Sequence, residues 1–250
     1  MNEQEFIGVI PSRYASTRFP GKPLVDILGK TMIQRVYEQA LKSKLLSRVI
    51  VATDDERIAK EVSSFGGVFE MTDESHQSGT DRCAEVARRL SKQGKIVVIN
   101  IQGDEPFIDP TQIDELCQCF IDPNVDLATL TTKFTHVEDV LNPNTIKVVR
   151  DQAGYALYFS RLPIPYFRDN QNIDSRNLNL FHKHIGIYGY REDVLQKVAG
   201  LKESFLEKSE KLEQLRWLEN GFRIMTAESN HLSISIDTPD DLKNVISRFT

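Results

Sequence analysis

This sequence has no long hydrophobic run and no excess of positive charge. No apolar stretch approaches the ~20 residues that a membrane-spanning helix needs. The 31 lysines and arginines are outnumbered by 36 aspartates and glutamates, which gives a net charge of −5. Because nucleic acids and anionic membranes attract basic proteins, this balance predicts neither partner. The amino terminus is polar and acidic, so we expect no signal peptide and a cytoplasmic protein.

Cysteine is scarce as well. The sequence has three cysteines, Cys83, Cys117 and Cys119. An odd number without disulfide spacing is typical of a protein in a reducing compartment. Cys117 and Cys119 are two apart on a predicted helix, so their side chains do not face each other. We interpret all three as buried or neutral residues without a metal or redox role.

Two glycine-rich phosphate-binding motifs are also missing. The G-x-G-x-x-G dinucleotide fingerprint does not occur, which excludes an ordinary dehydrogenase. The Walker spacing G-x-x-x-x-G-K-[ST] is absent too, and Lys22 is followed by Pro23, which cannot start a helix in the Walker manner. Any phosphate site must therefore be built in another way.

The first half of the chain alternates strands and helices. Apolar runs at residues 6–10, 49–52, 68–71 and 96–101 predict strands, and apolar residues at helical spacing follow each of them. Thr31, Thr80 and the pair Asp109-Pro110 are predicted to begin three of the helices. This alternation predicts a doubly wound parallel sheet, with ligands beyond the carboxyl ends of its strands.

From residue 126 the rhythm changes. Strand patterns at residues 127–133, 146–150, 155–160 and 182–190 follow one another with few helices between them. We therefore expect a single α/β catalytic domain over residues 1–250, with a mixed, largely parallel sheet flanked by helices. A smaller strand-rich subregion should span about residues 133–190.

The loop after the first strand carries most of the candidate phosphate-binding residues. Arg13, Arg18 and Lys22 lie in this short segment, together with two serines, a threonine and Gly21. A triphosphate needs clustered cations, hydroxyl and backbone N–H donors, and a glycine that allows close approach. The alternative interpretation is a solvated basic loop without a ligand. The position directly after the first strand, where ligands are expected, disfavours this alternative.

Two aspartates are candidates for magnesium. Asp104 lies in the segment 102–106, which directly follows the most apolar strand, at the edge of the sheet where ligands are expected. Magnesium usually takes one or two protein carboxylates plus phosphate oxygens, so Asp104 needs one partner. Asp237 is the best candidate for that partner. It could instead cap the last helix, unless Thr238 takes that role.

Three further segments are ambiguous on the sequence alone. Residues 78–82 could contact an anion or a base edge, or Thr80 could simply cap a helix. In an extended strand at 182–190, alternate residues share a face. His182, His184, Gly186, Tyr188 and Tyr190 would then oppose Lys183, Ile185 and Ile187. That face could bind a polyhydroxylated ligand or could be an exposed sheet face or subunit contact. Glu213-Gln214 fits the polar side of an amphipathic helix.

The order of these motifs resembles one enzyme family. R-x-x-S-T-R-x-P-G-K, ATDD, HxSGTDR, NxQGDEP, ALYFSR, HxGIYGYR, LEQLR and DTPDDL follow one another from about Ile7 to Leu242, as in the 3-deoxy-manno-octulosonate (Kdo) cytidylyltransferases. The resemblance implies a nucleotide-diphospho-sugar transferase-like fold, related to Rossmann folds, and a homodimer. It gives the subregion at about residues 133–190 the roles of sugar binding and dimer contact. It also implies that the anomeric hydroxyl of Kdo attacks the α-phosphate of CTP, with Mg²⁺ as cofactor, for lipopolysaccharide biosynthesis.

The resemblance assigns roles residue by residue. It implies that Arg13, Arg18 and Lys22 hold the triphosphate, and that Asp104 and Asp237 bind magnesium. Around cytosine and ribose it places Ala52, Asp54, Ser78 and Gly79. Around the sugar acid it places Arg82, Gln102, His184, Tyr188, Glu213 and Gln214, with Arg82 as a partner for the carboxylate. Arg13, Lys22, Asp104 and Asp237 form the implied catalytic set.

One segment departs from the family pattern. Residues 229–236, before Asp237, lack the Pro-Gly pair expected there. Three competing hypotheses remain. The acceptor could be an 8-amino analogue of Kdo, it could be another sugar such as sialic acid, or the protein could bind nucleotides without catalysis.

Overall fold

The computed structural model describes residues 4–15, 19–90, 96–168, 173–231 and 235–247. Across these residues, no helix has both the length and the apolar composition required to cross a membrane. The three cysteines are free thiols; Cys83 and Cys117 are buried and Cys119 is half-buried.

A single mixed sheet organises the molecule. The strands are β1 (Glu5–Ser12), β2 (Asp26–Ile27), β3 (Lys30–Thr31), β4 (Leu46–Thr53), β5 (Phe69–Met71), β6 (Ile96–Asn100), β7 (Leu127–Lys133), β8 (Lys147–Arg150), β9 (Ala156–Ser160), β10 (His182–Arg191) and β11 (Met225–Glu228). β2 and β3 form a small separate hairpin, and the other strands belong to the main sheet. The main order is β11-β7-β10-β6-β1-β4-β5, and β8 and β9 extend it from the start of β10. The predicted mixed, largely parallel sheet is confirmed.

Along the main order most neighbouring strands are parallel, and β10 in the middle is the exception; β8 and β9 add antiparallel pairs at the start of β10. β5, β4, β1 and β6 pair in parallel, and so do β7 and β11. β10 lies between β6 and β7 and runs antiparallel to both. It therefore carries residues of the second half of the chain directly beside the carboxyl end of β6.

Helices cover both faces of the sheet. They are α1 (Met32–Ala40), α2 (Glu56–Ser64), α3 (Gly79–Leu90), α4 (Pro110–Gln118), α5 (Val137–Leu141), α6 (Glu192–Ala199), α7 (Phe205–Glu210), α8 (Glu213–Glu219) and α9 (Pro239–Ile246). One core joins the sheet to α3, α6 and α8 around the fully buried Trp217, and the other joins it to α1, α2 and α4. Burial of a large apolar side chain contributes about 1.5–3 kcal/mol, so these two cores dominate stability.

Several helix starts agree with the capping residues expected from the sequence. The Thr31 hydroxyl accepts from Gln34 N at the start of α1, and the Asp109 carboxylate accepts from Thr111 N at the start of α4. The expectation that Thr80 caps a helix is wrong. α3 already begins at Gly79, and Ser78 Oγ accepts from Asp81 N. The Thr80 hydroxyl donates instead to Glu213 Oε2, 133 residues away.

Two loops meet tightly at the carboxyl ends of β1 and β6. A Cβ atom on Gly103 would lie 2.9 Å from the carbonyl oxygen of Pro11, which is closer than real side chains come. Only glycine allows the two loops this approach. The residue that follows, Asp104, is thereby held against the loop that carries Lys22.

Candidate active site

Two clefts open at the carboxyl ends of the central parallel strands. The smaller, of about 250 Å³, is lined by Arg13, Lys22, Ser78 and Arg82 among others. The larger, of about 860 Å³, is lined mainly by residues from β10, α8 and the segment at 142–146. Gly79, Gln102 and Asp237 line both clefts, so the two clefts meet at these residues. A ligand in one cleft is therefore adjacent to a ligand in the other.

A lysine and two aspartates lie close together in the smaller cleft. Lys22 Nζ is 2.8 Å from Asp104 Oδ2 and 3.3 Å from Asp237 Oδ1. Ile236 N donates to the Asp104 carbonyl oxygen at 2.9 Å, which ties the segment before Asp237 to the loop after β6. The two carboxylates are thus brought together from positions 133 residues apart in sequence.

The capping alternative for Asp237 is removed by the neighbouring residues. Thr238 is the N-cap of α9, and its hydroxyl accepts from Asp241 N. The Asp241 carboxylate in turn accepts from the backbone N–H groups of Asp237 and Thr238. This reciprocal capping box leaves the Asp237 carboxylate directed toward Lys22 and the cleft.

The donor set at this point fits magnesium. Two carboxylates already converge on one cationic group, the Lys22 ammonium. Among the described residues, no group of three or more His, Cys, Asp or Glu side chains could hold a metal. Magnesium needs no such group, because it takes one or two carboxylates and completes its shell with phosphate oxygens and water.

Ser78, Gly79 and Arg82 form another wall of the smaller cleft. Asp81 accepts from the backbone N–H groups of Gln77 and Ser78 and so fixes the turn that precedes α3. Arg82 is buried, and its guanidinium donates to Asp54 Oδ2 at 2.6 Å and to Thr72 Oγ1 at 2.7 Å. Arg82 therefore lies on the side expected for the nucleotide and does not line the larger cleft.

The larger cleft collects most of the residues assigned to the sugar. Gln102, His184, Tyr188, Glu213 and Gln214 all line it, although they come from three different parts of the chain. Burial raises the pKa of Glu213, although the Thr80 hydroxyl donates to its carboxylate and Arg216 contacts it at 2.9 Å. The structure thus assembles five of the six predicted sugar residues in one cavity.

Buried polar atoms in the clefts lack a protein partner. Within the described residues, Tyr188 Oη and Asn100 Oδ1 in the larger cleft, and Ser12 Oγ in the smaller, make no hydrogen bond. Leaving a buried polar atom without a partner costs ~1–3 kcal/mol, so such atoms point to a polar ligand.

The face predicted for the strand at 182–190 is wrong in part. The register of β10 against β7 shifts between Ile185 and Tyr188, a β-bulge that breaks strict alternation. Lys183 and Ile185 line the larger cleft beside His184, although they were placed on the opposite face. Tyr190 is instead fully buried in the core.

Sequence reasoning missed several residues of the larger cleft. Lys183 and Arg161 are its cationic side chains, and Asn142, Asn144 and Thr145 line one wall. Arg161 stood inside the quoted ALYFSR motif, but its role had not been assigned. The asparagines gave no signal, because an exposed loop has the same composition.

Two predicted nucleotide residues are not placed in the clefts. Ala52 is fully buried in the core and lines neither cleft, and Asp54 reaches the smaller cleft through its ion pair with Arg82. Arg18 lies outside the described residues. The assigned roles of these residues, and of Arg82 toward the sugar carboxylate, stay predictions.

Comparison with known proteins agrees with this arrangement. The family model described as cytidylyltransferase matches residues 7–226. A 3-deoxy-manno-octulosonate cytidylyltransferase of Geotalea uraniireducens is 52% identical over 96% of this chain and 97% of its own length. The enzyme of the same name from Geobacter sulfurreducens is 50% identical over the same shares. The chain belongs to the 3-deoxy-manno-octulosonate cytidylyltransferase family.

Solved structures support the same assignment. A CMP:2-keto-3-deoxy-manno-octonic acid synthetase complexed with CTP superposes with a TM-score of 0.89 at 43% identity, covering 98% of both chains. A 4-diphosphocytidyl-2C-methyl-D-erythritol synthase from Anaerococcus prevotii has a TM-score of 0.62 at 12% identity, and covers 98% of both chains. The second likeness shows the fold alone. This member of the family therefore keeps the nucleotide-sugar transferase-like architecture predicted from its motifs.

Proposed function

We propose that this protein transfers CMP from CTP to Kdo, giving CMP-Kdo and diphosphate for lipopolysaccharide biosynthesis. The observation that carries the proposal is the junction of the two clefts at Gln102 and Asp237. A basic cleft suited to a triphosphate there meets a larger polar cleft suited to a sugar acid. The names of relatives about half identical over nearly the whole chain support the same substrates.

The nucleotide side must overcome the charge of its ligand. Arg13 and Lys22 line the smaller cleft and would offset the triphosphate's negative charge, since charge-assisted hydrogen bonds are the strong ones. The turn at Ser78 and Gly79, held by Asp81, would offer the Ser78 hydroxyl and the backbone N–H of Gly79 at the start of α3. These groups would bind and orient the nucleotide from positions that the fold already sets.

Asp104 and Asp237 would hold magnesium at the junction. When bound, the ion would screen the phosphate charge and favour ionisation of the attacking anomeric hydroxyl. Lys22 lies between the two carboxylates, and its ammonium would turn toward the phosphate groups as the nucleotide binds. Gly103 keeps this cluster at the carboxyl end of β1, where the α-phosphate is expected.

The sugar side supplies orientation. Tyr188 Oη and Asn100 Oδ1 would offer a donor and an acceptor to a polyhydroxylated ligand, and Glu213 and Gln214 line the same cleft from α8. Fixing the anomeric hydroxyl against the α-phosphate converts a bimolecular reaction into an effectively unimolecular one.

Assembly and location follow from the same proposal. Leu157, Leu162, Tyr166 and Leu180 are between 52% and 72% exposed, and all lie in the strand-rich subregion. Because exposed apolar patches mark subunit contacts, these side chains are our candidates for the contact surface of a homodimer. CTP is an intracellular nucleotide, so an enzyme that consumes it would act in the cytoplasm.

Diphosphate release tests the function. We expect release from CTP and magnesium only when Kdo is present, and loss of release when the metal is chelated. Sialic acid, 8-amino-Kdo and glucose 1-phosphate are run in parallel. Release with only one of these acceptors would overturn the sugar assignment, and CTP binding without any release would favour a non-catalytic nucleotide-binding protein.

Lys22→Ala is expected to raise the KM for CTP by about tenfold or more, because a charge-assisted contact to phosphate is lost. The KM for Kdo should change much less. Lys30→Ala is the matched control, since the Lys30 side chain lies outside both clefts and makes an exposed ion pair with Glu38 at 2.6 Å. Both KM values are measured by diphosphate release. A selective loss of Kdo affinity in Lys22→Ala would contradict the assignment.

A further inference from the structure

Thr129 lies in β7, fully buried beneath the larger cleft, where β10 bulges. Its Oγ1 is 2.7 Å from the carbonyl oxygen of Ile187 and 3.1 Å from that of Ile185. The same Oγ1 is 3.1 Å from His184 Nε2. One hydroxyl therefore contacts both carbonyls of the bulge and the imidazole that lines the cleft.

The donors and acceptors at this hydroxyl can be assigned. Carbonyl oxygens only accept, and without a proton between them the Thr129 oxygen would lie only 2.7 Å from the Ile187 oxygen, so the single Thr129 proton is directed to the bulge carbonyls. The Thr129 oxygen must then accept from His184, which requires a proton on Nε2. Nδ1 is left as an unprotonated acceptor, and it has no hydrogen-bond partner in the part of the chain that the structure describes.

The ring is also neutral and held in place. Burial lowers the pKa of His184 to about 3, so it carries no charge at neutral pH. Phe159 meets the ring edge-on at 5.1 Å, and Tyr188 lies against it at 5.4 Å between centroids. Rotation of the imidazole would break these contacts and the bond to Thr129.

We propose that Thr129 is a positioning residue that holds His184 as the neutral Nε2–H tautomer, so that Nδ1 accepts a hydrogen bond from a hydroxyl of the sugar acid. This proposal rests on the proposed function for the identity of the ligand. A neutral acceptor repels a carboxylate, so His184 selects a hydroxyl at its position. The acid group of the substrate must then be bound by a cationic side chain elsewhere.

The tautomer is tested first on the wild-type protein without substrate. Long-range ¹⁵N–¹H correlation spectra distinguish the Nε2–H form from the Nδ1–H form, and a His184→Gln variant identifies the signal among the five histidines. We expect the Nε2–H pattern at neutral pH. An Nδ1–H pattern, or a ring that protonates near pH 6.5 as a free histidine does, would overturn the proposal.

Two variants then test the consequence for the substrate. Thr129→Val keeps the shape of the side chain but removes the hydroxyl, so the tautomers should mix and the KM for Kdo should rise about fivefold to tenfold. The KM for CTP should stay within about twofold. Thr129→Ser restores a hydroxyl and should restore both the Nε2–H signal and the KM for Kdo.

The outcomes separate this proposal from the proposed function. Equal changes in both KM values, or an unchanged tautomer in Thr129→Val, would show that Thr129 is merely structural. If Thr129→Val does not fold, the wild-type spectrum still tests the tautomer of His184. Thr129→Ser still tests whether a hydroxyl at this position preserves that tautomer. Failure of the wild type to use Kdo would overturn the proposed function, whereas the spectrum would still report the tautomer.

Discussion

Asp104→Asn is expected to lower kcat by about 10³-fold or more, equivalent to about 4 kcal/mol of transition-state stabilisation. Asparagine keeps the size of the side chain but removes one of the two negative charges that would hold magnesium. The fold should remain, because Asp104 is a partly exposed group and Lys22 keeps Asp237 as its second partner. The variant should unfold within a few degrees of the wild type.

Turnover is measured at saturating CTP and Kdo over a range of magnesium concentrations. Asp109→Asn is the matched control, because Asp109 also follows β6 but serves as the N-cap of α4, where asparagine is an equally good cap. The control should keep wild-type activity. Activity of Asp104→Asn within tenfold of the wild type at saturating magnesium would contradict the metal assignment.

Lys147→Met is expected to lower the free energy of unfolding by about 3 kcal/mol and to raise the KM for Kdo. Lys147 is fully buried, and its ammonium donates to the carbonyl oxygens of Asn142 at 3.0 Å and Thr145 at 2.7 Å, and to that of Arg161. Burial lowers its pKa to about 8, so it still carries its proton at neutral pH. Methionine fills the space but leaves three carbonyls without a donor.

The effect on Kdo follows from where those carbonyls lie. Asn142, Thr145 and Arg161 all line the larger cleft, so Lys147 holds one of its walls from behind. The smaller cleft contains none of them, and the KM for CTP should change little. Urea unfolding gives the stability, and steady-state rates well below the transition give both KM values.

Lys197→Met provides the control for this substitution. Lys197 is 62% exposed and pairs with Asp193 one turn away on α6, where such pairs contribute under ~0.5 kcal/mol. Its replacement should leave stability and both KM values close to those of the wild type. If Lys147→Met were as stable as this control, the hydrogen bonds from Lys147 to the three carbonyl oxygens would not contribute to the stability of the fold.

Much of the architecture could be predicted from local patterns. The strand at 127–133 was predicted with its observed bounds, and Thr31 and Asp109 were recognised as helix caps. Such features depend on residues a few positions apart, whose spacing is visible in the sequence. The failure at Thr80 has a long-range cause, because its hydroxyl bonds to Glu213 in α8.

By itself, the sequence determined the alternating α/β organisation, the basic loop after the first strand, and the position of Asp104 after β6. Only the tertiary structure decided that Asp237 faces Lys22, that Arg82 pairs with Asp54, and that β10 enters the middle of the sheet with a bulge beneath His184. The physical reason is the range of the interactions involved. Helix periodicity and capping act between near neighbours, whereas a cleft is built from side chains that only packing and strand register bring together.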